Sequence, residues 1–259
     1  MIPPRRRRNG LVIAMDGPAG VGKSTVGGLV AKKLGYRFIN TGEMYRALTW
    51  RALEEGLDLG DGEALSALAR AISWEFHTTE DGVTLRTFVD GRNVANLIRD
   101  ERVGKNSSTV AGIPGVRKHL RALQRELGRE GGVVMEGRDI TTNVFPDADF
   151  KVYLDASISE RAQRRTKQLR AQGKEADYEA IYAAIAARDD QDSRRKINPL
   201  RRAKDALHID STKMTLHEVA DMILDGIRAS GERAARGPRD GPERRRDRAS
   251  GARPARGRR

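Results

Sequence analysis

Leu11-Val12-Ile13-Ala14-Met15-Asp16-Gly17-Pro18-Ala19-Gly20-Val21-Gly22-Lys23-Ser24-Thr25 runs from an unbroken apolar segment through a carboxylate into a glycine-rich turn. A short segment that is apolar at every position and closed by Asp-Gly-Pro reads as a strand buried on both faces of a parallel sheet. Gly17 to Ser24 fit G-x-x-x-x-G-K-[ST] in full, and a helical pattern follows from Lys23 to Leu34. The glycines let successive N–H groups turn inward toward phosphate oxygens, and the helix N-terminus adds partial positive charge. Lys23 is placed to neutralise the β and γ phosphates, and the Ser24 hydroxyl to ligate Mg²⁺. The expected ATP-binding set is Gly17, Pro18, Ala19, Gly20, Val21, Gly22, Lys23, Ser24 and Thr25. The chain has no Asn-Lys-x-Asp segment to read guanine, which disfavours a GTPase switch.

Working outward, Gly35 stops the first helix, Tyr36 to Ile39 predicts a second strand, and Met44 to Glu55 predicts a helix burying Tyr45, Leu48, Trp50 and Leu53. Two strand–helix units in succession argue for an α/β fold. Gly132 to Met135, Phe150 to Leu154 and Ala206 to Ile209 supply further strands, and helices follow the last two. The expected fold is therefore that of a P-loop NTPase, a five-stranded parallel sheet covered by helices. Between Trp74 and Val94 the rhythm breaks. Trp74 to His77, Val83 to Val89 and a short third run are joined by Glu80-Asp81-Gly82 and Asp90-Gly91, steps that tolerate the positive φ of tight hairpins. They predict a small antiparallel β insert.

The 259 residues are enough to bury a sizeable core, and the absence of cysteine excludes disulfides, thiolate metal sites and cysteine nucleophiles. The longest apolar run, Ala180 to Ala187, falls well short of the about 20 residues a spanning helix needs, so no membrane contact is expected. The net charge of +13 sits mostly at the ends: residues 1–10 carry +4 and residues 231–259 carry +7, leaving +2 for residues 11–230. Both ends are rich in Arg, Gly and Pro and poor in apolar side chains, so they are read as disordered basic tails. They flank one catalytic domain at 11–230 whose insert spans about 63–95. The tails are expected to be solvated, with weak nucleic-acid contact through counterion release as the alternative. The apolar run after the first arginines is too short for a secretory leader, which points to a cytoplasmic location.

A second constellation lies in Ala187-Arg188-Asp189-Asp190-Gln191-Asp192-Ser193-Arg194-Arg195. At about 100° per residue, Ile181, Ile185, Arg188, Asp192 and Arg195 fall within about 40° of one line, so an apolar stripe turns charged without leaving its helix face. Two guanidinium forks around a carboxylate suit a phosphate with a base or sugar beside it. The plainer reading is a solvated ion-pair ladder. Glu136-Gly137-Arg138-Asp139 follows the strand Gly132 to Met135 at the end where α/β sheets place ligands. Glu136 could hold a magnesium-bound water or be an ordinary strand-end carboxylate. Arg161, Arg164 and Arg165 begin the helix after Asp155, and Arg164 or Arg165 could swing over the triphosphate as a lid.

Taken together, residues 11–229 resemble the bacterial cytidylate kinases of the nucleoside monophosphate kinase family. The matching segments are Met15 to Thr25, Asn40-Thr41-Gly42-Glu43-Met44-Tyr45-Arg46, Glu136 to Ile140 with Val144 to Ala148, and Arg188-Asp189-Asp190 through Asn198-Pro199-Leu200. The insert is similar to the extra domain of the bacterial members. The resemblance implies transfer of the ATP γ-phosphoryl group to CMP, and to dCMP, with Mg²⁺ accompanying ATP. It implies a monophosphate pocket lined by Thr41, Tyr45 and Arg46, with Ser108 and Asp192 reading the cytosine or sugar edge. Arg117, Arg138, Arg188 and Arg195 would gather around the acceptor nucleotide's phosphate and the transferred group, with Asp139 and Asp192 orienting them or contacting the nucleoside. Lys23, Arg138, Arg164, Arg188 and Arg195 form the expected catalytic set.

In this chain Asn40 stands where the family commonly has Asp, and Glu43 where a small residue is common. A carboxylate pointing into a phosphate pocket would be repulsive, so Glu43 is expected to face solvent or pair with an arginine. The chain is expected to act as a monomer. Competing readings are a P-loop kinase for UMP, AMP or a hydroxylated metabolite, and an RNA-binding protein with a regulatory ATP site.

Overall fold

The computed structural model describes residues 7–236. Strand β1 (Val12–Asp16) is buried at every position and leads through the glycine loop into helix α1 (Lys23–Leu34), as the apolar run requires. β2 (Arg37–Asn40) passes directly into α2 (Thr41–Glu54), because the Asn40 side chain accepts from the Gly42 amide and caps the helix. Next come α3 (Gly62–Ala71), β3 (Trp74–Thr78), β4 (Thr84–Val89), β5 (Arg92–Asn93), α4 (Glu101–Val110) and α5 (Pro114–Gly128). The chain then returns to the sheet with β6 (Val133–Gly137), a π turn over Ile140–Val144, and β7 (Phe150–Asp155). It finishes with α6 (Ile158–Ala171), α7 (Tyr178–Arg194), β8 (Leu207–Asp210) and α8 (Leu216–Arg236).

The sheet order is β3-β4-β2-β6-β1-β7-β8, and β2, β6, β1, β7 and β8 are mutually parallel, which is the expected five-stranded core. One face packs Ile13, Met15, Val134, Val152 and Ile209 against α1 and α8; the other buries Val12, Ala14, Ile39, Val133 and Met135 with the π turn. Burial on both faces is why these strands are apolar without alternation.

The insert differs from expectation in one respect. Its strands are antiparallel to one another, but β4 pairs parallel to β2 through Phe38↔Thr84 and Ile39↔Leu85 and so extends the main sheet. Leu85 enters the same buried cluster as Ile39, which rewards that register. Residues 63–95 share a second core with α2, α4 and α5, built on Met44, Leu48, Leu65, Val89, Val103, Val116 and Leu120.

Part of each stretch read as a disordered tail is placed in the structure. Residues 7–10 are placed, with Arg7 bridging Asp147 (3.0 Å) and Asp149 (2.9 Å) while its guanidinium lies 5.5 Å from the Phe145 ring centre. Helix α8 continues to Arg236. The remaining tail residues, 1–6 and 237–259, lie outside the described residues. Among the described residues no helix is long and apolar enough to cross a membrane.

The turn from β1 into α1 depends on Gly17, whose φ is +151° and whose position would bring a Cβ to 2.0 Å from the Leu154 carbonyl oxygen. Gly17→Ala is expected to cost about 3 kcal/mol or more and to lower the melting temperature by about 6 to 12 °C. Calorimetric melting measures this, and an unchanged transition would contradict the packing described.

Candidate active site

The parallel strands end at one edge of the sheet, and the polar groups hang from those ends. In the phosphate loop the buried Lys23 Nζ donates to the carbonyls of Gly17 (2.9 Å) and Pro18 (2.7 Å), closing the loop on itself. No acidic residue stands in the first turn of α1, and Gly22 before it is left-handed with no side-chain cap, so the N–H groups there have no side chain competing for them. Burial, followed by the nearby Arg138, pushes the Lys23 pKa down to about 7 against the opposing pull of Glu136 and Asp16. Ser24 Oγ donates to Glu136 Oε1 at 2.5 Å, with Asn40 Nδ2 3.5 Å from the same hydroxyl.

Asp16 performs a different task. Its buried carboxylate accepts from the amides of Ile140 (2.9 Å) and Thr141 (2.8 Å) and from Thr141 Oγ1 (2.6 Å). Burial outweighs these three bonds and pushes its pKa up to about 6. The clamp fixes the segment that projects Arg138 and Asp139.

Arg138, just past β6, donates through Nε to Asp192 Oδ2 (2.9 Å), joining the end of that strand to α7. Arg117 donates to Asp139 Oδ2 (2.5 Å) and to the Ala111 carbonyl (3.0 Å), with its guanidinium 5.6 Å from the Tyr45 ring centre. Arg188 has a buried Nε without a hydrogen-bond partner, and burial followed by Arg138 lowers its pKa to about 10. Arg46 donates to the Ile98 carbonyl (3.2 Å) and packs by Gly104, one turn before the buried Ser108. The Thr41 hydroxyl donates to the Glu136 carbonyl (2.7 Å). The charged groups fall into two sets. Arg138 and Arg188 lie near enough to Lys23 to lower its pKa, and Arg117, Asp139 and Arg195 lie near enough to Tyr45 to bear on its phenol.

The expected stripe on α7 is only partly realised. Asp192 is buried, Ile181, Ile185 and Arg188 are half-buried, and the helix stops at Arg194, so Arg195 lies beyond it and donates to the carbonyls of Ile197 (2.8 Å) and Asn198. The helix packs on α6 and α4 rather than on the sheet, which leaves its other faces wet. The solvated ladder reading fits Arg194–Asp190 alone in this segment, an exposed pair at 2.7 Å.

A family model for cytidylate kinase matches residues 13–229. The chain belongs to the cytidylate kinase family. It is 46% identical over 217 residues to the cytidylate kinase of Bacillus subtilis (strain 168), covering 84% of this chain and 96% of that one. It is 44% identical over 216 residues to the cytidylate kinase of Pseudomonas syringae pv. tomato, covering 83% and 94%. The bifunctional pantoate ligase/cytidylate kinase of Synechococcus sp. (strain JA-2-3B'a(2-13)) is 48% identical over 223 residues, which are 86% of this chain and 40% of that one.

Both departures from the cytidylate kinase pattern have structural counterparts. Glu43 pairs with Arg86 of the insert at 2.6 Å, as the repulsion argument expects, and burial raises its pKa. Asn40 caps α2 and leans toward Ser24. Arg164 does not cover the phosphate loop: Glu160 (2.7 Å) and the Ser211 carbonyl (2.7 Å) hold it at the loop after β8. Arg165 is turned to Gln168 (2.9 Å). The arginine that does reach the loop is Arg161, whose Nη1 donates to the Ala19 carbonyl at 3.0 Å. Its position one turn earlier on α6 decides this, and three nearby arginines on one helix gave sequence reasoning no means of choosing.

A bound polyphosphate favours charged Lys23, so binding takes up protons at pH values above about 7 and the uptake fades as pH falls below about 7. At pH 8, the calorimetric enthalpy of binding a nonhydrolysable ATP analogue is expected to vary with buffer ionisation enthalpy, and Lys23→Arg should abolish that dependence. A buffer-independent enthalpy in the unmodified protein would contradict the burial argument.

Proposed function

We propose that two ends of one cleft hold ATP and a cytidine monophosphate in line, with Lys23, Arg138 and Arg188 on the transferring group and Arg117, Asp139, Tyr45 and Ser108 around the base. The chain phosphorylates CMP to CDP at the expense of ATP, as its family does. The observation that supports the residue assignment is the pairing Arg138–Asp192, which brings α7 to the end of β6 with Arg138 near enough to Lys23 to lower its pKa.

The acceptor oxygen of CMP is already an anion, so no base is needed to expose a nucleophile. What remains is to bring two anions together and to stabilise charge spreading over the transferred group. Each preorganised donor in a dry site contributes about 3 kcal/mol. Lys23 stands in the phosphate loop and Arg188 keeps a buried, unpartnered Nε, which supports donors held ready before substrate arrives. Arg46 and Arg195 extend the cationic wall toward the acceptor phosphate. Asp192 fixes Arg138 and faces the nucleoside.

The residues present fit a magnesium ion. Ser24 Oγ and Glu136 Oε1, hydrogen-bonded at 2.5 Å, are hard oxygens that would hold the ion directly or through water, and among the described residues no cluster of three or more His, Cys, Asp or Glu forms a dedicated cage. That is the sparse donor set of an ion bound largely through nucleotide phosphates. When bound, Mg²⁺ neutralises charge on the β and γ phosphates. We further read dCMP as a second acceptor, the active unit as one chain and the location as cytoplasmic. The basic tails are read as dispensable for turnover, with any nucleic-acid contact weak.

Lys23→Ala is expected to lower kcat about 10²–10³-fold with every acceptor. Asp192→Ala is expected to raise the KM for CMP about tenfold or more while changing the ATP KM little. Steady-state ADP release with CMP, dCMP, UMP and AMP reads both effects. An unchanged CMP KM in Asp192→Ala, or AMP outrunning CMP, would overturn the assignment.

A further inference from the structure

Arg161, on the first turn of α6, is 3% exposed and holds three elements at once. Its Nε donates to the Ala156 carbonyl (3.0 Å), its Nη1 to the Ala19 carbonyl of the phosphate loop (3.0 Å), and its Nη2 lies 2.6 Å from Asp189 Oδ2 on α7. Its stem also borders the loop, since a Cβ built on Gly20 would lie 3.6 Å from the Arg161 Cβ. Burying an ion pair gains little stability over apolar packing, so its directionality is the feature to explain.

Asp189 is one of two carboxylate anchors on α7, three residues apart. Asp189 ties the helix to the phosphate loop through Arg161, and Asp192 ties it to β6 through Arg138. Arg188 sits beside the first anchor with its Nε buried and unpartnered, and its guanidinium is repelled by Arg138. Among the described residues no side-chain hydrogen bond or ion pair sets its direction, and the charges that bear on it include Asp189 and Asp192, so the anchors on its helix set it. Asp189 Oδ1 is likewise buried without a partner, which leaves that carboxylate held through its other oxygen.

We infer that the Arg161–Asp189 pair is a positioning device that couples the donor loop to the acceptor wall, so that a triphosphate settling on Ala19 and Gly20 also sets Arg188 and Asp192. The inference rests on the two-nucleotide reading of the cleft. Arg161 and Asp189 act through other residues. By linkage, the same coupling makes CMP tighten the donor as much as the donor tightens CMP.

Calorimetry on the full chain tests this, with CMP titrated alone and in saturating nonhydrolysable ATP analogue. In the unmodified protein the analogue should tighten CMP about fivefold or more. Asp189→Ala should keep each nucleotide's separate affinity within about twofold, abolish the mutual tightening and lower kcat about tenfold, and Asp189→Glu should restore part of the coupling. Should Asp189→Ala fail to fold, Asp189→Asn keeps the shape, removes the charge and carries the same expectation. A purely stabilising pair predicts a lower melting temperature with coupling intact, and that result would overturn the inference, as would absence of coupling in the unmodified protein. Failure of the unmodified protein to bind CMP under either condition would instead remove the two-nucleotide reading itself.

Discussion

Positive charge gathered at one edge of a parallel sheet, without carboxylates enough to match it, is the constraint the rest of this structure answers to. Among the described residues, Lys23, Arg46 and Arg195 donate to backbone carbonyls and form no ion pair, and Arg188 Nε has no hydrogen-bond partner. Such groups repel one another, and burial depresses the pKa of Lys23 and of Arg188. Only a scaffold stiffer than the repulsion can keep them convergent. The apolar strands β1 and β6, buried on both faces, provide it, and Asp16 transmits that rigidity to the Arg138-Asp139 segment.

The carboxylates that do enter the cleft act as fasteners. Asp139 holds Arg117, Asp192 holds Arg138, Asp189 holds Arg161, and Glu136 receives the Ser24 hydroxyl. Each joins different elements, so the arginines are aimed by parts of the chain far apart in sequence. The second core contributes in the same way: Arg86 on β4 engages Glu43 at the start of α2, tying the insert to the helix that carries Tyr45 and Arg46. On the proposed two-nucleotide arrangement, polyanionic substrates supply the charge the protein withholds, at groups already held in position.

What could be read from sequence follows from how local each cause is. The β1–loop–α1 unit was legible because an apolar run, a glycine turn and a helix start are all encoded within neighbouring residues. The five parallel strands were legible for the same reason. Helices α3, α4 and α5 went unassigned, although Asp61 and Asp100 cap the first two and Pro114 opens the third. The parallel pairing of β4 with β2 was not legible, since it depends on Leu85 meeting Ile39 across a long separation. At the candidate site the motifs mark which charged residues stand at the strand and helix ends, but pairings were not legible: that Arg161 and not Arg164 reaches the phosphate loop is decided by packing between α6, α7 and the loop.

The central claim is that one continuous cationic cleft receives two nucleotides end to end. An adenosine and a cytidine joined by a chain of five phosphates spans both ends, and calorimetry of its binding is the most direct measurement. The account predicts one molecule per chain and an affinity at least about a hundredfold above that of the ATP analogue or CMP alone, because the second end binds at high effective concentration. Two molecules per chain, or an affinity no greater than that of the ATP analogue, would contradict it.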